Sequence, residues 1–329
     1  MSASAGTQGE LSPDEFLRTA DSYRRELLAH CYKMVGSLPE AEDLVQETYV
    51  RAWKSWESFQ ARSSIRTWLY RIATNVCLTA LQHNSRRILP SGLGAPEYEG
   101  SAESGELLWL DPFPDAFVGI GDPAEVVAAR SGLRLALVAS LQHLPARQRA
   151  VFLLREALGY PASDIADLLD MSVVAVKSAL QRARATLDKV APTPNDVLEP
   201  DSAEARAVLD RYMAAFESAD IEAMTELLRA DAVLAVVPTG TKYTGNVACL
   251  AFLADHVLTA PGLYRMFPTT ANGQPAVVAY RRDDTAGSFQ PFGIAVLTTD
   301  QDQIVGIETF IDAALVTRFG FPADCPFAS

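Results

Sequence analysis

Apolar residues recur at three- and four-residue steps through most of the first 190 positions, a helical period. Phe16, Leu17, Ala20, Tyr23, Leu27, Leu28, Cys31 and Met34 predict a helix over 13–35 that Gly36 ends. Ser37, with Glu40 three residues on, forms a capping-box pattern that opens a second helix. There Ala41, Leu44, Val45, Tyr49, Ala52 and Trp53 share one face, and Asp43, Gln46, Glu47, Val50, Arg51 and Lys54 the other. After a break at 55–64, a third helix is expected over 65–83, striped by Ile65, Trp68, Leu69, Ile72, Val76, Thr79 and Ala80. Residues 89–123 are rich in Gly, Pro, Ser and Glu and predict an irregular connector. Within it, Trp109-Leu110-Asp111-Pro112-Phe113-Pro114 is too apolar for a free linker and is expected to dock on the folded chain.

A second helical unit follows. Leu133, Leu137, Leu141 and Leu144 repeat at helical spacing, Pro145 starts another helix and Gly159 breaks it. Two helices over 163–169 and 173–189, joined by a turn at Asp170-Met171-Ser172, read as a helix-turn-helix. Ser172 is placed to cap the second, and Val176, Leu180, Ala183 and Leu187 to face inward. Ala191-Pro192-Thr193-Pro194-Asn195 marks a boundary. Beyond it, helices over 204–217, 221–228 and 246–258 and strands over 233–237, 276–282, 292–298 and 303–310 predict an α+β domain.

Charge changes this picture in one respect. The net charge of −13 argues at first against a nucleic-acid partner. Residues 1–195, however, carry 20 Lys and Arg against 23 Asp and Glu, a balance of −3, while residues 196–329 carry 8 against 18, a balance of −10. The acidity belongs mainly to the C-terminal third. With 49% hydrophobic residues the chain is a folded one, and it has no run of about 18 uncharged apolar residues that would predict a membrane span. Residues 1–11 read as a flexible tail without the features of a signal peptide, which points to a cytoplasmic protein. Cys31, Cys77, Cys249 and Cys325 are scattered, with no metal-ligand spacing, so neither a metal nor a cofactor is predicted.

Two stretches are free of acid. Residues 58–87 contain Arg62, Arg66, Arg71, Arg86 and Arg87 interleaved with Phe59, Trp68 and Tyr70, the mixture of cations and aromatic faces that single-stranded nucleic acid needs. Residues 171–187 leave Lys177, Ser178, Gln181, Arg182 and Arg184 on the outer side of the second helix of the helix-turn-helix, as a DNA reader requires.

These blocks resemble a known family. Ala41-Glu42-Asp43-Leu44-Val45-Gln46-Glu47-Thr48 and Ser64-Ile65-Arg66-Thr67-Trp68-Leu69-Tyr70-Arg71-Ile72-Ala73-Thr74-Asn75 resemble region 2 of bacterial extracytoplasmic-function sigma factors. Leu144-Pro145-Ala146-Arg147-Gln148-Arg149, with Val176-Lys177-Ser178 and Gln181-Arg182-Ala183-Arg184, is similar to region 4. More weakly, residues 203–322 resemble the SnoaL-like branch of the NTF2-like cone. The resemblance implies a multidomain chain: a helical region 2 over 12–88, a linker over 89–124, a region 4 helix-turn-helix over 125–190, a second linker over 191–202 and an α+β NTF2-like domain. It also implies core RNA polymerase as partner, its large-subunit clamp helices meeting Asp43, Leu44, Gln46, Glu47, Val50 and Arg51. The −10 promoter element would be bound by Phe59, Ser63, Arg66, Trp68, Arg71 and Asn75 and melted, with a flipped base in a pocket lined by Phe59 and Asn75 and with Ser63, Arg66 and Trp68 nearby. The −35 element would be read in duplex form by Ser172, Lys177, Ser178, Gln181 and Arg182, with Arg184 on phosphate.

Many relatives carry Gly-Thr where this chain has Val174-Ala175, and Arg where it has Ala179, so loss of a hydroxyl and a guanidinium is expected to remove contacts to the −35 element. Relatives of the C-terminal fold include enzymes, but His256, Asp231 and Asp312, the residues that could serve, form no catalytic spacing, and no enzyme is predicted. The domain is expected instead to act as an internal brake. Its charge would compete with DNA while loops such as Asn272-Gly273-Gln274-Pro275 touch the connector or region 2. An unidentified small ligand in the cone remains open. So does a second identity, a one-component helix-turn-helix regulator with a ligand-binding domain, which would not need the 40–87 stretch.

Overall fold

The computed structural model describes residues 13–56, 59, 63–83, 110–118, 132–190, 199–237, 241–283 and 287–326. Arg62, Arg86, Arg87, Trp109, the tail and the Ala191–Asn195 boundary lie outside them.

Among the described residues the first unit consists of α1 (Pro13–Ser22), α2 (Arg24–Val35), α3 (Leu38–Ser55) and α4 (Ile65–His83). The single helix expected over 13–35 is two, parted at Tyr23, whose hydrogen bond to the Ala20 carbonyl closes a turn. Gly36 ends α2 at φ 75°, in the left-handed region that glycine enters without strain. Ser37 accepts from the Glu40 amide at 3.5 Å and caps α3. Leu27, Tyr32, Met34, Leu38, Ala41, Leu69, Tyr70 and Cys77 fill the core between them. Within it His30 bonds Thr74 at 3.0 Å, and burial, then the nearby Lys33 charge, push its pKa down to about 3.

The second unit has α5 (Leu135–Gln142), α6 (Ala146–Phe152) extended by a π turn over Leu153–Ala157, α7 (Ala162–Leu169) and α8 (Val173–Val190). Gly159 is left-handed, as its place at the break requires, and Asp170 takes φ 51° at the end of α7. Ser172 accepts from the Ala175 amide at 3.1 Å and caps α8.

The C-terminal unit packs α9 (Ala203–Ser218), α10 (Ile221–Leu227) and α11 (Asn246–Phe252) on one face of a six-stranded mixed sheet. Its strands are β1 (Leu228–Val237), β2 (Thr241–Thr244), β3 (Tyr264–Ala271), β4 (Gln274–Arg282), β5 (Phe289–Asp300) and β6 (Gln303–Phe310), in the order β2-β1-β6-β5-β4-β3. β1 runs parallel to β6 and the other pairings are antiparallel. A last helix, α12 (Ala313–Arg318), follows β6. The period of two sorts β4 between two cores. Val277 and Ala279 face α9–α11, whereas Ala276, Val278 and Tyr280 join a core continuous with the two helical units. A sheet covered on both faces reads as an unbroken apolar run, which β4 is from Pro275 to Tyr280.

The connector and one hairpin tie all three units to one another. Leu110 and Phe113 are fully buried, as expected of a docking patch. Leu110 rests on Gly36, where an added Cβ would lie 2.9 Å from it. The Asp111 carboxylate accepts from the Leu38 amide at 3.1 Å, at the first turn of α3, and the Asp111 carbonyl accepts from the Tyr32 hydroxyl at 2.7 Å. Asn272 and Gly273, at φ 56° and 66°, form the tight β3–β4 turn that Asn-Gly favours. Asn272 is fully buried. Its Oδ1 accepts from the Phe113 amide (2.7 Å), and its Nδ2 donates to the Tyr32 hydroxyl (3.0 Å) and the Leu133 carbonyl (2.7 Å). The Gly273 amide donates to Asp115 at 2.8 Å, and Gln274 accepts from the Leu135 amide at 3.2 Å. One hairpin thus bonds to the first helical unit, the connector and the second helical unit.

Candidate functional site

Three surfaces carry the residues singled out from sequence. On α3, Asp43, Gln46, Val50 and Arg51 are exposed and Glu47 is half-buried. Glu47 and Arg51 pair at 2.7 Å one turn apart, a surface contact worth about 0.5 kcal/mol that a partner could replace. Leu44 departs from expectation. It is 8% exposed and packs in the core, because positions 41, 44, 45 and 52 form the stripe that seats α3 on α2 and α4. Trp53, placed inward by periodicity, is 45% exposed beside Val50 on the outer surface. At the edge of the stripe a helical wheel leaves a side chain two directions, and packing chooses.

At the start of α4, Ser64 caps through the Thr67 amide at 3.1 Å. Phe59 lies 4.8 Å from Trp68 and stacks on Trp56 at 5.5 Å, ring to ring. This aromatic cluster includes Trp56, which the sequence had not singled out. Ser63, Arg71 and Asn75 are exposed, and Trp68, Arg71 and Asn75 share a face of the helix at steps of three and four. Arg66 is turned away from this surface. Its guanidinium donates twice to Glu26, at 2.9 and 2.7 Å, and sits 5.0 Å above the Tyr70 ring. That hydrogen bond raises the pKa of Arg66. In this conformation Arg66 is a buttress between α2 and α4 rather than a free cation.

On α8 the buried stripe Val176, Ala179, Ala183 and Leu187 fixes the roll of the helix. Lys177, Gln181, Arg182 and Arg184 are exposed, Ser178 is half-buried and the capping residue Ser172 is exposed. Arg182 donates to Ser178 at 2.7 Å. Arg184, expected on phosphate, pairs with Glu156 in the π turn after α6 of the same unit at 2.6 Å. Ala179 is 3% exposed, so this position faces the core, and the expected loss of a DNA-contacting guanidinium there does not hold.

The two helical units touch directly. Arg149, buried, donates to the Gln142 side chain at 2.6 Å, to the Leu144 carbonyl at 3.0 Å and to the Met34 carbonyl at the end of α2. Gln142 donates to the Lys33 carbonyl at 3.3 Å. Cationic and amide donors here satisfy carbonyls that the last turn of a helix leaves open. Tyr160 reaches Thr67 at 3.4 Å, on α4.

The cone of the C-terminal domain is nearly filled. Tyr212, Phe216, Tyr264, Met266 and Phe292 leave a cavity of about 20 Å³, room for about one water. His256 is exposed and stacks on Phe252, Asp231 pairs with Arg229 at 2.5 Å, and Asp312 caps α12. The three are not brought together, and none lines the cavity. Among the described residues no cluster of His, Cys, Asp and Glu could hold a metal ion, and no helix is long and apolar enough to cross a membrane.

Residues 19–87 match the Sigma-70 region 2 family and residues 134–187 match Sigma-70 region 4. The chain is 46% identical over 314 residues to the ECF RNA polymerase sigma factor SigG of Mycobacterium tuberculosis, covering 94% of this chain and 84% of that one. The chain belongs to the extracytoplasmic-function sigma factors. Its fold matches the crystal structure of the M. tuberculosis sigma factor SigJ with a TM-score of 0.61 at 20% identity, over 94% of this chain and all of the other. An NTF2-like protein from Mesorhizobium loti aligns with 36% of this chain at 18% identity and a TM-score of 0.29. This sigma factor is two all-α units followed by an α+β domain built on a six-stranded mixed sheet. Its membership of the family decides against a one-component regulator.

Proposed function

We propose that this sigma factor is self-restrained: its C-terminal domain clasps the two promoter-reading units together until they are released. In the working form the exposed face of α3 (Asp43, Gln46, Glu47, Val50, Arg51, with Trp53 added and Leu44 withdrawn) docks on the clamp helices of the polymerase large subunit. The Trp56–Phe59–Trp68 cluster, with Ser63, Arg71 and Asn75, receives an unstacked base of the −10 element. Aromatic faces contribute about 1–3 kcal/mol per stacked base, enough to offset its extrusion. Lys177, Ser178, Gln181 and Arg182 on α8 read the −35 element, and Arg66 and Arg184 join DNA only if Glu26 and Glu156 give them up. The C-terminal domain acts by contact rather than by catalysis.

The Asn272–Gln274 hairpin, bonded at once to Tyr32, Phe113, Leu133 and Leu135, carries this proposal. Promoter elements about 25 base pairs apart are separated by roughly 85 Å along B-DNA. Two small domains in direct contact have centres on the order of 25 Å apart. The clasped form therefore does not span a promoter, and the hairpin holds it clasped. The test is run-off transcription with purified core polymerase in matched salt, comparing the full chain with one ending at residue 198. Faster initiation by the shorter chain is expected. Equal or slower initiation sinks the brake, and transcription independent of either chain sinks the sigma-factor role.

A further inference from the structure

Val174 is an apolar side chain on a polar surface. It is 77% exposed, at the second position of α8, and Val173 before it is 40% exposed. Neither packing nor local preference accounts for it. The buried stripe that seats α8 runs through Val176, Ala179, Ala183 and Leu187 and leaves Val174 out. A β-branched residue is a middling helix former, and the helix start is already secured by the Ser172 cap.

Its place on the helix says what it faces. Steps of three and four from Val174 lead to Lys177, Ser178, Gln181 and Arg182, so Val174 extends the DNA-facing row by one turn toward the N-terminus of α8. It is the N-terminal part of a recognition helix that reaches base edges in the major groove. The surroundings suit a polyanion: residues 171–187 contain no acid, and the row itself carries Lys177 and Arg182. In the major groove the one apolar group on a base edge is the 5-methyl of thymine, and short aliphatic side chains meet it.

We infer that Val174 reads a thymine in the −35 element by contact with its 5-methyl group, making it a specificity-determining residue. The assignment rests on α8 being the −35 reader. It also gives a role to the departure at 174, where a larger apolar side chain stands in place of glycine: this chain exchanges close backbone approach for a methyl contact.

The test uses holoenzyme on its own promoter at fixed salt, with each −35 thymine on either strand replaced in turn by deoxyuridine, which lacks only the methyl. One such replacement is expected to weaken binding by the wild-type chain about fourfold, the worth of one buried carbon group. Val174→Ala should bind thymine DNA more weakly by a similar factor and be indifferent to deoxyuridine at that position. The assignment is overturned if no replacement affects the wild type, if Val174→Ala keeps the full deoxyuridine effect, or if the element holds no A·T pair. A scrambled −35 duplex separates the two levels. Unchanged binding to it removes α8 as the reader, and the Val174 contact with it. Binding weakened by scrambling but not by deoxyuridine removes Val174 alone.

Discussion

Asn272→Ala is the sharpest perturbation of the clasp. The side chain accepts from the Phe113 amide and donates to the Leu133 carbonyl, and both residues are essentially inaccessible to water. Removing it leaves those two backbone groups unpaired where they lie. Each orphan costs about 1–3 kcal/mol, so the clasped form loses roughly 2–6 kcal/mol. The Tyr32 hydroxyl loses less, because it still donates to the Asp111 carbonyl. Alanine adds about 1 kcal/mol of strain, since position 272 sits at φ 56°. Asn272→Gly removes the hydrogen bonds without that strain and separates the two costs. In the separated form the turn is solvated and water replaces the lost partners, so most of the cost falls on the clasped form. A loss of 2 kcal/mol already changes the clasped-to-open ratio by roughly 30-fold. Dyes at exposed Lys54 and Asp188 would report the separation of the helical units by energy transfer, alongside run-off transcription at limiting factor. Both substitutions should lengthen the distance and raise initiation. If both variants fold, by circular dichroism and thermal melting, yet keep the wild-type distance and rate, the hairpin is not the clasp.

Three further outcomes are expected. Asp43→Arg with Glu47→Arg reverses the charge of exposed positions on α3 and should abolish transcription by weakening core polymerase binding at least tenfold in a pull-down titration, with no change in melting temperature; intact binding would remove α3 as the docking face. Alanine at both Phe59 and Asn75 should leave binding to duplex promoter intact while permanganate reactivity of the −10 thymines falls at least tenfold, and unchanged strand opening would refute the base-capture site. Glu308 is buried without a partner for Oε2, and burial pushes its pKa up from 4.5 to about 8. Between these values the folded chain keeps a proton that the unfolded chain releases, so stability from this group is full below pH 4.5 and is lost as pH rises toward 8. From pH 5.5 to 7.5 the loss is on the order of 2–3 kcal/mol, and Glu308→Gln should remove it, as denaturant unfolding at the two pH values would show; parallel behaviour of the two chains would contradict the burial argument.

What the sequence determined is local. The period of α2, α3, α4 and α8, the caps at Ser37 and Ser172, the glycine stops at 36 and 159 and the acid-free stretches all depend on residues within a turn or two, so they were legible without coordinates. The strand over 264–271 was not. Its Pro268 speaks against a strand, and only the tertiary sheet order makes it an edge where a missing N–H is tolerated. The short β2 carries too few residues for any pattern. Of the three surfaces, Phe59 and Trp68 of the aromatic cluster and the exposed faces of α3 and α8 follow from sequence, whereas Trp56 does not. The capture of Arg66 by Glu26, of Arg184 by Glu156, and the outward turn of Trp53 do not, because each was decided by a neighbour on another element. The docking of Leu110 and Phe113 was expected from their apolarity, and contact of the Asn272 loop with the connector or the first unit was expected too, but the rest of the receptor was not. The receptor is assembled from Tyr32, Gly36 and Asn272, and the bond between Asn272 and Tyr32 joins residues 240 positions apart. A buried polar group must find its partner somewhere, and no local pattern says where; that choice belongs to the tertiary structure.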